Sequence, residues 1–317
     1  MISNLVFSIN IVAPWIVMVA IGFMIKRLDI IDDQFATKGN RIVFLIFLPS
    51  MLFWSVYTAD LRAYFDLRFI LFVTLWTIIT FFVIWGLSVT FIKDRTVISA
   101  FVQGSCRSNV GALAVPLAFS VLGDSAVKSV FALAVLIPIY NIMCVVLLTV
   151  YNVSSEKKFS VRDAFISISK NPSIISILLG IGISFIGLQL PDFISSTVSS
   201  MSQVTIPLVL IFLGAGISLK GNADKFKYVV SSSLIKVIVM PLCVTLVAYA
   251  FGFRGSDLAI LMLINGVPTA IAGYVMVKVM GGDGAVASSN IVLTTILSAF
   301  TLAMFIFAFM SLGIIVQ

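Results

Sequence analysis

The sequence predicts an all-α polytopic membrane protein with ten transmembrane helices in two inverted five-helix repeats. Of its 317 residues, 61% are hydrophobic and only 10% are charged, whereas a soluble domain carries about a quarter charged residues. Ten segments are long and apolar enough to cross a bilayer core of about 30 Å. Short motifs also recur in the two halves. This composition excludes a water-soluble enzyme, a disordered protein and a nucleic-acid-binding protein.

Short polar turns separate the ten predicted spans. The first span follows no Lys or Arg, so it lacks the basic region of a cleaved signal peptide and is predicted to be a retained helix. The segment 152–171 is predicted to connect a first repeat, residues 1–151, to a second, residues 172–317. The spans cover residues 5–25, 40–58, 68–92, 96–121, 126–150, 168–187, 200–219, 227–251, 256–279 and 285–314.

Basic residues are unevenly distributed between the two sides of the membrane. Of the 20 Lys and Arg residues, 14 follow odd-numbered spans, 4 lie on the opposite side, and Arg107 and Lys236 lie within spans. By the positive-inside rule the basic loops face the cytoplasm, and both termini lie outside. The net charge of +7 therefore reflects topology and requires no acidic partner.

Two landmarks indicate the repeat. The motif at 123–127, Gly-Asp-Ser-Ala-Val, lies 159 residues before Gly-Asp-Gly-Ala-Val at 282–286, and Pro49 lies 158 residues before Pro207. Because five is odd, the second copy must enter the membrane from the opposite face. Inverted repeats are a recurring architecture of secondary transporters, whose substrate site lies near the midplane.

The predicted fourth and ninth spans each contain a polar interruption near the middle, at 105–116 and 265–274. Proline removes a backbone donor and clashes with the preceding turn. Unwound backbone at membrane depth is tolerated only where it lines a cavity or is buried in protein. The alternative interpretation is a pair of ordinary proline kinks.

Arg107 and Lys236 are predicted to lie deep in the membrane, where an ionisable group costs about 3 kcal/mol or more. The one Asp or Glu in a predicted span is Asp257, the second residue of the ninth, so no carboxylate is expected at depth, which favours an anionic ligand as the neutralising partner. Snorkelling, or a contact to helix-end carbonyls, is the alternative. The candidate substrate-binding residues are Arg107, Asn109, Gly111, Pro116, Lys236, Asn265, Pro268 and Thr269.

Other polar and sulfur-containing residues have simpler interpretations. The chain has no histidine, and its three cysteines lack metal-ligand spacing, so no metal, cofactor or catalytic group is predicted, and the cysteines are interpreted as membrane-buried side chains. Small and polar residues of spans seven and ten are predicted to serve helix packing, with cavity lining as the alternative. These residues are Gly214, Gly216, Ser218, Asn290, Thr294, Thr295 and Ser298.

Ordered motifs along nearly the full chain resemble the auxin efflux carrier family, whose bacterial members include malate and malonate permeases. The matching pieces are 22–27, Leu48-Pro49, Arg107-Ser108-Asn109-Val110-Gly111 through Pro116, Leu213-Gly214-Ala215, Lys236 to Pro241, and Pro268-Thr269-Ala270. The resemblance implies the fold of bile acid sodium symporters and sodium/proton antiporters, in which spans four and nine cross. It also implies an elevator mechanism, a bacterial inner-membrane location and a homodimer. Family members often carry Asn where this chain has Ala272-Gly273.

The expected function is transport of a small organic anion such as malate, malonate or an auxin-like acid. Sodium held by neutral oxygens is the favoured coupling ion, although a carboxylic acid can carry its own proton. An inside-negative potential alone drives anion export. The alternatives are a sodium-coupled symporter of a larger anion, of the bile acid type, and a ligand-binding membrane sensor.

The predicted topology can be tested by cysteine labelling. A cysteine introduced at Ser155 should react with a membrane-impermeant thiol reagent only from the cytoplasmic side, because the connector is predicted to be inside. A cysteine introduced at Ser125, in a predicted outer turn, should react from outside and serves as the control. External labelling at position 155 would overturn the topology.

Overall fold

The computed structural model describes residues 2–58, 65–151, 170, 172–215 and 225–313, without the side chains of residues 2–12, 33, 275 and 279. Apart from an isolated bridge between Ser108 and Thr269, the regular structure in these residues is helical. The helices are α1 (Ile2–Arg27), α2 (Gln34–Tyr57), α3 (Leu67–Phe91), α4 (Arg95–Cys106), α5 (110–122), α6 (Val127–Tyr151), α7 (Pro172–Ile186), α8 (Asp192–Ala215), α9 (Phe226–Ala250), α10 (Gly255–Gly266), α11 (Ile271–Val279) and α12 (Gly284–Ser311).

Six helical stretches of the described residues are long and apolar enough to cross a membrane. Six such helices, with no strands in the described ranges, are typical of a polytopic membrane protein. The stretches are Gln34–Tyr57, Leu67–Phe91, Val110–Tyr151, Asp192–Ala215, Phe226–Ala250 and Gly284–Ser311.

The longest of these stretches, Val110–Tyr151, folds back on itself. Gly123 adopts φ +56° between α5 and α6, a conformation that glycine adopts without strain. Beyond this turn α6 runs back along α5 and α4, so that Leu133 packs beside Gly111 and the Tyr140 hydroxyl donates to the Cys106 carbonyl at 3.1 Å. The stretch therefore supplies two antiparallel helices.

Helix lengths recur in the two halves. Helices α3 and α9 are both 25 residues long and begin 159 residues apart, and α4 and α10 are both 12 residues long and begin 160 residues apart. The Gly-Asp motifs at 123–127 and 282–286 recur at nearly the same separation, 159 residues.

Three π-helical turns lie in the helices, two in the interiors of α2 and α9 and one at the start of α5, and each ends two residues before a proline. The turns Val43–Phe47, Val110–Ala114 and Ile235–Val239 precede Pro49, Pro116 and Pro241. Proline has no N–H and its ring crowds the carbonyl one turn earlier, so a wider turn lets the helix continue. The predicted fourth span is accordingly interrupted at 107–109, before Pro116, which lies within a continuing helix.

The helices pack in two groups. In the first group α1 packs on α8, α8 on α2 and α2 on α7; in the second, α3–α6 and α9–α12 pack together, and α1 also packs along α12 of the second group. In the first group α1 and α8 touch through their backbones: a side-chain carbon at Gly22 would overlap the Ile211 carbonyl, and one at Gly214 the Val19 carbonyl. Such contact between small residues is typical of membrane helix pairs, and Gly214 has the packing role predicted for it.

Other sequence predictions have mixed outcomes. Cys106 and Cys144 are buried inside the protein, and Cys243 is exposed on the surface of α9, within a stretch apolar enough to cross a membrane. All three are free thiols. Gly216, Ser218 and nearly all of the connector at 152–171 lie outside the described residues.

Substitution of Gly214 by Ala should lower the thermal stability of the purified protein, because the added methyl has no room against the Val19 carbonyl. Overpacking of this kind costs about 1–3 kcal/mol. Gly182→Ala is the matched control, because nothing lies within 4 Å of the added carbon. Equal melting temperatures for the two variants would contradict the close packing of α1 on α8.

Candidate functional site

The two helix interruptions, at 107–109 and 267–270, lie against each other and are joined by their backbones. The Asn109 amide donates to the Pro268 carbonyl and the Ala270 amide donates to the Arg107 carbonyl, both at 3.0 Å. The Thr269 hydroxyl adds a bond to the Gly104 carbonyl at 2.6 Å. These bonds satisfy part of the backbone that the interruptions unwind, as burial away from water requires.

Asn109 leaves its side chain free at this crossing. It is the N-cap residue of α5, but its side chain forms no cap bond. No hydrogen-bond partner of the half-buried side chain lies in the described part of the chain. The first amides of a helix are unpaired donors at the positive end of its dipole. Asn109 therefore offers a free amide group beside a helix end that attracts anions.

Arg107 is buried, with 6% of its surface exposed, and its contacts are neutral. One guanidinium nitrogen, Nη2, donates to Asn141 Oδ1 at 2.8 Å. The other, Nη1, lies 3.5 Å from Gln103 Oε1 and 2.9 Å from the Met276 sulfur. No carboxylate lies within ion-pair distance among the described residues. A buried cation without a counter-charge is costly, and a bound anion would relieve that cost.

Gly273 gives the Arg107 side chain its space. A side-chain carbon at this position would lie 3.1 Å from Gln103 Oε1 and 3.5 Å from Arg107 Cδ. A larger residue here would press on both groups. Arg107 and Gln103 therefore occupy the space that a side chain at position 273 of α11 would need.

Lys236 is fully buried and its ammonium group donates to the Asn265 carbonyl. Asn265 is the second-to-last residue of α10, so this ammonium lies at the negative end of the α10 dipole. The side-chain amide of Asn265 also has both of its groups bonded. Its Oδ1 accepts from Trp76 Nε1 at 3.2 Å, and its Nδ2 donates to the Leu261 carbonyl at 2.9 Å. This is the contact to a helix-end carbonyl that the sequence left open as an alternative.

An apolar cavity of about 410 Å³ adjoins the crossing. Pro268 is the one candidate residue that lines it, together with Val267. Thr295 and Ser298 also line it, as the cavity alternative for span ten predicts, whereas Asn290 and Thr294 are buried in hydrogen bonds. Other lining residues come from α1, α5, α8 and α12 and include Trp15, Phe23, Leu117, Leu213 and Phe300.

The structure thus divides the predicted site residues. Arg107, Asn109, Pro268 and Thr269 meet at the crossing. Lys236 and Asn265 lie together at the end of α10. Gly111 lies beside Leu133 in the π turn of α5, and Pro116 lies further along that helix.

Sequence reasoning missed three residues that surround Arg107. Gln103 lies one turn before Arg107 on the same helix, and its Nε2 is buried without a partner among the described residues, so helical spacing was an available signal. Asn141 and Met276 lie 34 and 169 residues away from Arg107. Nothing local in the sequence indicates their proximity.

Comparison with known proteins gives the class of the protein. Residues 7–306 match the family described as membrane transport protein. The chain therefore belongs to this family, the auxin efflux carrier family that its motifs resemble. The family's description is that of transporters.

Several relatives carry transporter names. An uncharacterized transporter of Methanocaldococcus jannaschii is 22% identical over 296 residues, covering 91% of this chain and 94% of the relative. One of Methanothermobacter thermautotrophicus is 25% identical, covering 90% and 93%. The uncharacterized transporter YfdV of Escherichia coli K12 is 25% identical over 284 residues, covering 86% and 88%.

The contribution of Thr269 to the crossing can be measured with an isosteric variant. Thr269→Val should leave the buried Gly104 carbonyl without its partner, which costs about 1–3 kcal/mol. Thr301→Val is the matched control, because the buried Thr301 hydroxyl has no partner among the described residues. The melting temperature should fall for Thr269→Val and not for Thr301→Val. The reverse order would contradict the assignment.

Proposed function

We propose that this chain is a secondary carrier of a small organic anion, bound where the two interrupted helices cross. The observation that carries the proposal is the buried Arg107, which has neutral contacts and no carboxylate partner in the described part of the chain. The side-chain amide of Asn109, which has no partner in the described part of the chain, and the uncapped start of α5 add further donors beside it. Cations and oriented amides favour a carboxylate.

The proposed architecture is ten transmembrane helices in two inverted repeats, residues 1–151 and 172–317, joined by a cytoplasmic connector. Recurring motifs and recurring helix lengths at a separation of 159–160 residues support it. Both termini are proposed to face outward from a bacterial inner membrane. Alternating access would follow if the group α3–α6 with α9–α12 moved as an elevator against α1, α2, α7 and α8.

The cavity narrows the class of substrate. Apart from the Thr295 and Ser298 hydroxyls, its lining is apolar, so a second carboxylate placed there would lose its hydration without gaining enough donors. An acid with an apolar body can place its carboxylate at the crossing and its body against Pro268 and Leu117. The cavity therefore favours an aromatic or aliphatic monocarboxylate over malate or malonate.

The described residues that line the crossing include no carboxylate to relay protons. We therefore propose sodium held by neutral oxygens, or a proton carried by the substrate itself, as the coupling ion for uptake. The second candidate, a sodium symporter of a larger anion, is favoured by the same apolar cavity. A dimeric assembly is proposed on the family resemblance.

A thermal-shift series on the purified protein tests the substrate class. Phenylacetate should raise the melting temperature more than malonate at equal concentration, because only phenylacetate has an apolar body to bury against the apolar lining of the cavity. Repeating the series with and without sodium tests coupling to that ion. Equal shifts for the two acids, or a larger shift with malonate, would contradict the proposed class.

Flux in proteoliposomes tests the residues. Arg107→Gln and Asn109→Ala should each reduce counterflow of labelled benzenesulfonate, an anion that does not cross lipid as a neutral acid, by about tenfold or more, since one charged hydrogen bond is worth about 1.5–3 kcal/mol. Arg254→Gln, a cation away from the crossing, is the control. Binding without flux in the unmodified protein would indicate a sensor, and unchanged flux in both variants would move the site elsewhere.

A further inference from the structure

Two three-residue ion clusters join helix ends on opposite sides of the larger helix group. In the first, Lys128 Nζ lies 3.2 Å from Asp66 Oδ2 and 2.8 Å from Asp257 Oδ1. Lys128 is the second residue of α6, Asp66 caps α3, and Asp257 lies in the first turn of α10. One ammonium group therefore holds the starts of three helices together. This cluster is called the α3 triad below.

The second cluster has the same composition. Lys225 Nζ lies 2.7 Å from Asp94 Oδ2 and 2.7 Å from Asp283 Oδ2. Lys225 immediately precedes α9, while Asp94 and Asp283 cap α4 and α12. The Asp283 amide also donates to the Thr96 carbonyl at 3.0 Å. This cluster is called the α9 triad below.

Hydrogen bonds within the α9 triad stabilise the charged forms of Asp94 and Lys225. The hydrogen bond from Lys225 keeps the pKa of the Asp94 carboxyl below its ordinary value. The bonds to Asp283 and Asp94 raise the pKa of Lys225. The Lys225 ammonium lies between the two carboxylates and offsets their mutual repulsion, and the helix N-termini that they cap also attract them.

The two triads correspond under the internal repeat. Asp66 and Lys225, which precede α3 and α9, are 159 residues apart. The first triad joins α3, α6 and α10, and the second joins their counterparts α9, α12 and α4. Lys128 lies one turn after Asp124, which is 159 residues before Asp283. The same three-helix junction is thus built twice, with the positions of lysine and aspartate exchanged.

We propose that the two triads are clamps that fasten α3–α6 and α9–α12 into one rigid body at both of its ends. Asp66 and Asp94 flank α3, whose 25 residues place the clamps about 37 Å apart along that helix. All the joined helices belong to this one group, and none is α1, α2, α7 or α8. The ion pairs can therefore stay intact when the two groups move against each other. Ion pairs that joined the two groups would have to break during such a movement.

The clamps can be tested by hydrogen exchange with no ligand, so the outcome is independent of the proposed function. Lys225→Met should speed exchange on the order of fivefold or more in the peptides that contain Thr96 and Asp283, whose backbones are joined beside the triad. It should leave unchanged the peptide that contains Phe69, whose amide bonds to Asp66 at 3.1 Å. Lys128→Met should produce the opposite pattern.

Matched controls keep the result specific. Lys227→Met removes an exposed cation two residues from Lys225 that contacts the Tyr228 ring, and it should change neither set of peptides. Lys225→Arg keeps the charge and should retain slow exchange. If Lys225→Met fails to fold, Asp94→Asn removes one ion pair while keeping a good helix cap, and a smaller increase is expected in the same peptides. Exchange equal to that of Lys227→Met, or an equal increase at both ends, would overturn the proposal.

Discussion

The structure depends on one constraint: backbone groups unwound within a membrane must find partners inside the protein. Two interrupted helices meet this constraint by pairing with each other, through the Asn109 amide on the Pro268 carbonyl and the Ala270 amide on the Arg107 carbonyl. Neither interruption satisfies these groups alone. The crossing therefore fixes the relative position of α4, α5, α10 and α11, and with it the placement of every polar side chain nearby.

Charge at the crossing follows from the same geometry. Two helices end there and two begin there, so their partial dipole charges cancel in sum. The formal charges of Arg107 and Lys236 remain. Lys236 donates to the Asn265 carbonyl at the end of α10, whereas Arg107 contacts the side chains of Gln103, Asn141 and Met276. The sequence predicts the same role for both cations, but their hydrogen-bond partners differ. The two cationic groups therefore differ in how available they are to a ligand.

Much of the fold could be predicted from composition and repetition. Apolar length located the helices to within a few residues for most spans, since 67–91 was expected at 68–92, and the Gly-Asp motifs gave the separation at which helix lengths recur. The site was harder. Arg107, Asn109 and Pro268 were found because they interrupt apolar spans, but Asn141 and Met276 contact Arg107 only through tertiary packing. The apolar cavity draws residues from four helices and the 267–268 backbone, and no local pattern indicates it. The continuation of helices through Pro116 and Pro241 depends on π turns, which a rule that proline breaks helices does not anticipate.

The proposed function requires that the crossing hold the carboxylate of an organic acid. Solid-state NMR on protein reconstituted in lipid measures this directly, as the dipolar coupling between carboxylate-labelled ¹³C-phenylacetate and ¹⁵N in the Arg107 guanidinium or the Asn109 side-chain amide. We expect a coupling that corresponds to a carbon–nitrogen distance of about 4 Å, that of a charge-assisted hydrogen bond, and its loss in Arg107→Gln protein. A bound acid with no coupling to either nitrogen would contradict it.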